Sequence, residues 1–152
     1  MRITITALLL AALAAAPGRA SDPLSSLRFL VGTWNCTYEA GKARISYKAT
    51  FSYDLNGNWM RESDSWEGGG GDLAMFTYEK NGWTSVVMEH ERTSALFRAS
   101  GKNPNHVVYR SVYPQTGLTD VFDRVSATRF TVHFKQTSRG KTMSSIDVCD
   151  KA

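Results

Sequence analysis

The chain has 152 residues, of which 42% are hydrophobic and 21% are charged, and its formal net charge is +4. Lysine and arginine occur singly rather than in runs, which argues against a nucleic-acid-binding protein or a polybasic membrane-binding protein. Setting aside the first 20 residues leaves 132 (152 − 20), enough for one domain with its own core and too few for two.

Residues 1–20 have the pattern of an export signal. Arg2 supplies the positive start, residues 3–16 form an uncharged apolar run, and small residues precede a cleavage point after Ala20. Cleavage would remove Arg2 and Arg19, leave a domain at 21–152 with a net charge of 16 − 14 = +2, and place it in the periplasm or outside the cell. An uncleaved membrane helix is disfavoured because the run is short for a bilayer. No other segment is apolar enough, so no integral membrane span is expected.

After residue 30 the chain is organised as short extended segments. The helical spacing of Leu24, Leu27 and Leu30 predicts one short helical turn that precedes these extended segments. Glycine and Asn-Gly turn signals then separate stretches rich in aromatic and β-branched residues. They predict ten strands at about 32–40, 44–53, 58–67, 72–79, 83–90, 93–100, 106–113, 118–125, 129–136 and 141–149. Because an open sheet of this size leaves exposed edges, the expected fold is all-β: a single closed antiparallel barrel with room for a cavity.

Turn lengths decide which side chains face the inside of the barrel. Two-residue turns at 81–82 and 91–92 would place Met75 opposite Met88 and Val86 opposite Phe97. The inward set that follows is Leu73, Met75, Thr77, Val86, Met88, His90, Ala95 and Phe97. An outward aromatic stripe is left over, which is either ordinary surface, packing under a loop or a partner-binding patch, and it consists of Phe76, Tyr78 and Trp83.

The later hairpins place further apolar residues inside. Across residues 114–117, Tyr109 is expected opposite Phe122, on a face that also carries Asp120 and Arg124. Across residues 137–140, Phe134 is expected opposite Met143. The inward set of the last two strands is then Phe130, Val132, Ser145 and Cys149.

The two cysteines are expected to form a disulfide. By the same alternation, Cys36 and Trp34 share the inward face of the first strand, and Cys149 falls on that face of the last strand. An exported chain favours a bridge, whereas the cytosol would favour free thiols. The bridge would close a loop of over a hundred residues, for which chain entropy gives about 4 to 5 kcal/mol. A metal site is disfavoured because neither cysteine has a second ligand at metal-binding spacing.

The opening Phe29-Leu-Val-Gly-Thr-Trp34 resembles the Gly-x-Trp motif of the calycin superfamily, which includes lipocalins, fatty-acid-binding proteins and nitrobindins. The pattern is most similar to uncharacterised lipocalin-like proteins that many bacteria export, in which a later glycine turn is followed by an aromatic residue, as in Asn56-Gly-Asn-Trp59 here. The resemblance covers the strand rhythm of the mature chain and implies a ligand-binding barrel.

The sequence departs from these families in three ways that bear on the kind of ligand expected. Fatty-acid-binding proteins carry a helical lid and a terminal Arg-x-Tyr pair that grips a carboxylate, whereas this chain turns tightly at 40–43 and ends in a different pattern. Lipocalins stack a late arginine on the motif tryptophan, and only Lys151 is near that place. Nitrobindin-like relatives suggest haem, which needs an inward histidine on a late strand. His133 is expected to point outward and His90 to lie at the end of a middle strand, so no cofactor is expected.

The sequence has no catalytic signature. Its three histidines form no Ser-His-Asp order and no His-x-His pair, and His106 is expected at a loop edge. His90 is more simply a hydrogen-bonded core residue than a base. Glu62 and Asp64 would point inward with Met60 and Trp66 if residues 54–57 form a four-residue turn; one extra loop residue would send Trp59 and Arg61 inward instead. Inward carboxyls could perform acid–base chemistry, or could be solvated or paired with arginine.

These observations favour a ligand-binding module over an enzyme, because the inferred lumen is aromatic and methionine-rich with few polar groups. The expected ligand is an apolar or aromatic, lipid-derived small molecule. The expected ligand-binding residues are Trp34, Tyr47, Phe51, Met75, Met88, His90, Phe97, Tyr109, Phe122 and Arg124, the last meeting a ligand carboxylate. The alternatives are a small-molecule lyase or isomerase that uses Glu62, Asp64 and His90, and a cell-envelope protein that binds a partner through the aromatic stripe. The sequence leaves the oligomeric state open.

Overall fold

The structure is a computed structural model that describes residues 23–89 and 94–152. A 3₁₀ helix (Pro23–Leu30) precedes ten strands, and every strand boundary lies within two residues of the predicted one. The strands are β1 (Gly32–Ala40), β2 (Ala43–Asp54), β3 (Trp59–Trp66), β4 (Leu73–Glu79), β5 (Gly82–Met88), β6 (Ser94–Ser100), β7 (His106–Tyr113), β8 (Leu118–Arg124), β9 (Arg129–Ser138) and β10 (Lys141–Lys151), with a single 3₁₀ turn (Leu55–Gly57) between β2 and β3. The all-β fold class and the N-terminal helical turn are therefore confirmed.

The ten strands form one closed antiparallel barrel. Each strand pairs with its neighbours in sequence, and β1 pairs with β10 to complete the ring. Cys36 and Cys149 are direct partners across that closing pair, with Cα atoms 4.1 Å apart, and they form the predicted disulfide. Both cysteines are buried, so the bridge lies inside the barrel wall rather than on its surface.

The β4–β5 hairpin turns one residue earlier than the sequence predicts. The turn is Lys80-Asn81, both with positive φ (49° and 67°), as a two-residue hairpin turn of the I′ type requires. Gly82 lies in the strand, where a Cβ would come within 2.6 Å of the Ala99 carbonyl oxygen. Met75 therefore pairs with Val86 instead of Met88, and this shift of two positions keeps each residue on its face.

The β5–β6 connection reverses the predicted facing of β4 and β5. Met88 pairs with Ser94, so five residues separate them; an odd number exchanges the faces that the expected two-residue turn would have matched. Trp83 is 1% exposed, whereas Met88 is 41% exposed. The aromatic stripe of Phe76, Tyr78 and Trp83 therefore points inward, and the predicted inward placement of Leu73, Met75, Thr77, Val86 and Met88 is wrong. The predicted turn at 91–92 and His90 lie outside the described residues.

The remaining hairpins give the expected faces. Four residues connect Asp54 to its partner Trp59, which points Glu62 and Asp64 inward, and the expectation of a four-residue connection is confirmed. Tyr109 pairs with Asp120 rather than Phe122, and Phe134 pairs with Ser145 rather than Met143. Each of these registers is two positions from the predicted one, so the inward sets of β7 to β10 are unchanged.

The N-terminal 3₁₀ helix closes one end of the barrel. Its three leucines, Leu24, Leu27 and Leu30, are buried, and the Trp34 Nε1–H donates to the Leu30 carbonyl oxygen at 2.6 Å. The Trp34 ring is fully buried and packs edge-on against Phe130, with centroids 4.9 Å apart. Within the described ranges, no helix has the length and apolar character needed to cross a bilayer.

Lys151 connects the last strand to Trp34 and to the N-terminal helix. Its Nζ lies 5.3 Å from the centroid of the Trp34 ring and donates to the Phe29 carbonyl oxygen at 3.0 Å. A lysine thus provides the cation–π contact and the tie to the helical segment. The closed end is held by contacts between the two termini of the described chain.

Candidate ligand-binding lumen

A cavity of about 690 Å³ occupies the inside of the barrel. Its floor is formed by Leu27 and Leu30 of the 3₁₀ helix, and its lining extends to Gly41, Glu89 and Ser144, all at the opposite end. Gly41, Glu89 and Ser144 are exposed to solvent, so the cavity opens at the end away from the helix. A volume of this size falls in the range of small-molecule sites.

The lower part of the cavity is apolar and rich in aromatic side chains. Phe122 and Phe130 pack against each other with centroids 5.4 Å apart, and Phe51 meets Phe130 edge-on. Inward side chains from neighbouring strands complete this part of the wall, and they include Phe76, Trp83, Val87, Val107, Tyr109 and Val132. Such a surface would bury an apolar ligand at about 25 cal/mol for each Å² removed from water.

The cavity wall also carries six carboxyl groups, which contradicts the expectation of few polar groups. They come from different parts of the barrel and are Glu62, Asp64, Asp72, Glu89, Asp120 and Asp147. Among the described residues, no lysine, arginine or histidine lines the cavity. The lumen therefore combines an apolar floor with a wall whose ionisable groups are acidic.

Burial dominates the electrostatics of these carboxyls. It raises the pKa of Asp147 from 3.8 to about 7, and a hydrogen bond from Tyr47 offsets part of that rise. Burial followed by the charges of Asp72 and Asp147 raises the pKa of Asp64 to about 7, and burial with Asp147 raises the pKa of Asp120 to about 7. Removal from water and the neighbouring carboxylates raise the pKa of Glu62 well above its usual range. Asp64, Asp120 and Asp147 therefore exchange protons near neutral pH.

Several buried polar atoms of the wall form no hydrogen bond within the described structure. They include one carboxyl oxygen each of Asp64, Asp120 and Asp147. Asp147 is 5% exposed, and it lies on β10 opposite Tyr38 and Val132. These oxygens are available to accept hydrogen bonds from a molecule inside the cavity.

The structure brings together some of the residues predicted to bind a ligand. Those that line the cavity are Tyr47, Phe51, Tyr109 and Phe122. Trp34 and Phe97 are buried in the core without forming part of the cavity lining. Met75 and Met88 belong to the outer face, which corrects their predicted role, and His90 lies outside the described residues.

Arg124 does not reach the cavity, so its predicted role as a carboxylate anchor is also wrong. Its guanidinium lies 4.1 Å from the centroid of the Phe29 ring. The same group donates to the Ser126 carbonyl oxygen at 3.3 Å and to Asn105 Oδ1 at 3.4 Å. These contacts hold the Arg124 guanidinium at the closed end of the barrel.

Asp147 is the lumen residue that the sequence reasoning missed, although a signal was present. It lies two positions before Cys149 on β10, so the alternation that placed Cys149 inward applies equally to Asp147. No comparable signal existed for Phe76 and Trp83, because their facing depends on the length of the β5–β6 connection.

The described residues provide little support for metal or histidine chemistry. His133 is exposed, and His106 Nδ1 lies 2.6 Å from Asp123 Oδ1 on the outside of the barrel. In residues 23–89 and 94–152, no three histidine, cysteine or carboxylate side chains converge to hold a metal ion. The acid–base candidates that remain are the inward carboxyls.

Comparison with known proteins supports the fold. No protein-family model and no curated protein matches the sequence. Among solved structures, the chain is similar to a protein of unknown function from the DUF3598 family of Nostoc punctiforme, with a TM-score of 0.57 and 9% identity. The match covers 83% of this chain and 49% of the other, so this chain spans about half the length of that protein. At this level of identity, the similarity concerns the fold alone.

The raised carboxyl pKa values predict a pH-dependent stability. Because the folded-state pKa of Asp147 lies above its ordinary value of 3.8, the folded protein binds more protons than the unfolded chain between pH 4 and 7, and stability falls as pH rises through that range. From pH 5 to pH 8 we expect the free energy of unfolding to fall by on the order of 2 kcal/mol through Asp147. Asp147→Asn should flatten the profile measured by urea denaturation.

The exposed Glu67 gives the control for that measurement, since Glu67→Gln should keep the wild-type slope. The window above pH 5 also avoids the opposite contribution of Asp150, whose pKa is lowered by its hydrogen bond with Arg129. An Asp147→Asn profile as steep as the wild-type profile would mean that burial does not raise the Asp147 pKa.

Proposed function

We propose that the protein binds an apolar or aromatic small molecule, for which a lipid-derived compound is one source, inside its barrel. The observation that carries this proposal is the cavity of about 690 Å³, whose lower part is lined by aromatic side chains and whose floor is closed by the 3₁₀ helix. Small-molecule sites are concave, mostly apolar and equipped with a few polar groups that orient the ligand. The lumen is concave and its lower part is apolar, which supports the proposal, and the carboxyl groups of its wall are the polar groups available to orient a ligand.

We further propose that the protein is exported and works in an oxidising compartment. Residues 1–20 carry the export-signal pattern, with cleavage after Ala20 and a calycin-like barrel domain at 21–152. The disulfide between Cys36 and Cys149 supports this proposal, because such bridges persist mainly outside the cytosol.

A lyase or isomerase is the second candidate, and one observation favours it. Glu62 and Asp64 both line the cavity, and burial raises the pKa of both carboxyls, that of Asp64 to about 7. The third interpretation, partner binding through the stripe of Phe76, Tyr78 and Trp83, loses its surface because that stripe points inward. Loss of turnover in a folded Glu62→Gln variant that still binds would favour the enzyme.

Binding can be tested with an uncharged fluorescent probe, N-phenyl-1-naphthylamine. We expect its emission to rise when it enters the barrel. Val87 lines the cavity and its neighbour Met88 points outward, so Val87→Trp and Met88→Trp form a matched pair on one strand. Val87→Trp should weaken probe binding by at least about tenfold, since a loss of 1.4 kcal/mol is sufficient. Met88→Trp should leave the affinity unchanged.

Equal probe affinity in the wild-type protein and both variants would place the probe outside the lumen. A folded wild-type protein that takes up no uncharged probe would overturn the binding proposal. Near-ultraviolet circular dichroism of each variant verifies that the barrel is intact.

A further inference from the structure

We infer that the lumen selects cationic ligands, in which a protonated amine is attached to an aromatic or apolar body. Asp147 would accept a hydrogen bond from the amine, Asp120 and Glu62 would add to the attraction for its positive charge, and the aromatic lower part of the cavity would hold the body. The inference rests on the proposed binding function and narrows it to one class of ligand. It also reverses the expectation of a ligand carboxylate.

Asp147 offers a buried carboxyl oxygen to a ligand in the cavity. The residue is only 5% exposed, its side chain lines the cavity, and one of its carboxyl oxygens has no hydrogen-bond partner among the described residues. Leaving a buried carboxyl oxygen unpaired is costly, because the group has given up its contacts with water. The group that complements it best is a cationic N–H donor, since charge-assisted hydrogen bonds are the stronger kind.

The surrounding carboxyls decide the sign of the ligand. Asp147 is close enough to Glu62, Asp64 and Asp120 to raise the pKa of each of them. The described lining contributes no cationic side chain that would offset these charges. A carboxylate entering this lumen would meet like charges, whereas an ammonium group would meet opposite charges in a site of low dielectric constant.

The positions of the carboxyls favour an organic cation over a metal ion. Glu62 lies on β3, Asp120 on β8 and Asp147 on β10, so the acids are spread around the wall. In the described ranges they do not converge at the spacing that a metal ion requires. An organic cation that fills the lumen comes close to more of these separated carboxyl groups than a single metal ion does.

The aromatic residues above the floor supply a second contact for a cation. Tyr47 stacks on Trp66 with centroids 4.4 Å apart and planes 25° apart, and Tyr38 meets Trp66 edge-on at 6.1 Å. All three residues line the cavity. Aromatic rings that line a cavity attract ammonium groups, so these rings add to the attraction of the carboxylates.

Binding of a cation should be linked to proton release. An ammonium group pairs with ionised carboxyls, so it must displace the protons that the acids hold below about pH 7. The titratable groups that face Asp147 around the described wall are Tyr38, Tyr47, Glu62, Asp64, Asp72, Glu89, Tyr109 and Asp120. In the described residues, β6 and β9 add no titratable side chain to the lining. Affinity for a cation should therefore rise between pH 5.5 and pH 8.

Three ligands with one ring system test the inference: 1-naphthylmethylammonium, 1-naphthalenemethanol and 1-naphthylacetate. Calorimetry at pH 8 should show the ammonium binding at least about tenfold more tightly than the alcohol, the ratio that one charge-assisted hydrogen bond provides. The anion should bind most weakly. The preference for the ammonium should shrink at pH 5.5, where the carboxyls are protonated.

Substitutions locate the charge. Asp147→Asn and Asp120→Asn should each reduce the preference for ammonium over alcohol by several-fold, because each removes one negative charge from the wall. Asp123→Asn is the matched control, because Asp123 lies on the same strand as Asp120 but pairs with His106 outside the barrel. Asp123→Asn should keep the wild-type preference, and near-ultraviolet circular dichroism verifies that each variant is folded.

The outcomes separate the two proposals. Equal binding of the three ligands, or tightest binding of the anion, would overturn the cation preference and leave the binding function standing. An ammonium preference that survives in folded Asp147→Asn and Asp120→Asn alike would also overturn it. If neither the naphthyl ligands nor N-phenyl-1-naphthylamine binds, the binding function itself is wrong.

Discussion

Replacing Cys36 and Cys149 together by serine is expected to lower the free energy of unfolding by about 4 to 5 kcal/mol. The bridge joins residues 113 positions apart, so it restricts nearly the whole unfolded chain. A loss of this size is a large part of the 5 to 15 kcal/mol typical of a folded domain. Thermal denaturation should show the melting temperature falling by roughly 10 to 20 °C.

Reductant provides the control. Dithiothreitol added to unfolded wild-type protein before refolding should lower the melting temperature to that of the double-serine variant, and it should not change the variant. Both cysteines are buried, so the same reductant added to the native protein should act slowly. Equal melting temperatures for the oxidised protein and the variant would contradict the prediction, and the masses of the oxidised and reduced protein would show whether the bridge had formed.

The strand pattern and the closing disulfide were both predictable because each depends on local signals. Glycine and Asn-Gly turns separate the strands, and alternation with period two fixes facing within a strand. Cys149 was placed inward by counting across the turn at 137–140, where the register error is two positions and therefore leaves the faces unchanged. The same count includes Asp147, so part of the acidic wall was also within reach of the sequence.

The facing of β4 and β5 was not predictable to the same degree, because it passes through turns. A register error of two positions, as at Lys80-Asn81, leaves faces intact, whereas an error of one exchanges them. The predicted two-residue turn between β5 and β6 is wrong by one position, because five residues separate Met88 from its partner Ser94. Trp83 therefore lies in the lumen and Met88 lies outside it. The lumen therefore keeps its expected aromatic character and loses Met75 and Met88 from its lining.

The sequence did not predict the acidic character of the site, because the carboxyl groups lie on separate strands and share a cavity only after the barrel has closed. Asp120 shares its strand face with Phe122 and Arg124, and Asp147 shares its face with Ser145 and Cys149, so neither strand alone indicates an acidic lumen. Only barrel closure places them in one cavity with Glu62 and Asp64, where burial and mutual repulsion raise their pKa values. A sequence that places Arg124 on the same face as Asp120 gives no indication that its guanidinium turns to Phe29 instead.

Trp34→Ala is expected to cost about 3 to 5 kcal/mol of unfolding free energy, because it empties a fully buried site. The ring fills the space between Phe130 and the 3₁₀ helix, and its N–H holds the Leu30 carbonyl oxygen at 2.6 Å. Trp34→Phe keeps most of the ring and loses the hydrogen bond, which should cost about 1 to 2 kcal/mol. Urea denaturation measures both losses.

The consequence should extend to the ligand site, because Trp34 holds the residues that form the floor of the cavity. Leu27 and Leu30 line the lumen only while the 3₁₀ helix is docked, so folded Trp34→Phe protein should bind N-phenyl-1-naphthylamine more weakly. Tyr113→Ala is the control, since Tyr113 is 70% exposed and its loss should change stability by less than about 0.5 kcal/mol. If Trp34→Ala costs no more than Tyr113→Ala, the helix is not held by Trp34, and the floor of the cavity must be closed by the packing of the three leucines alone.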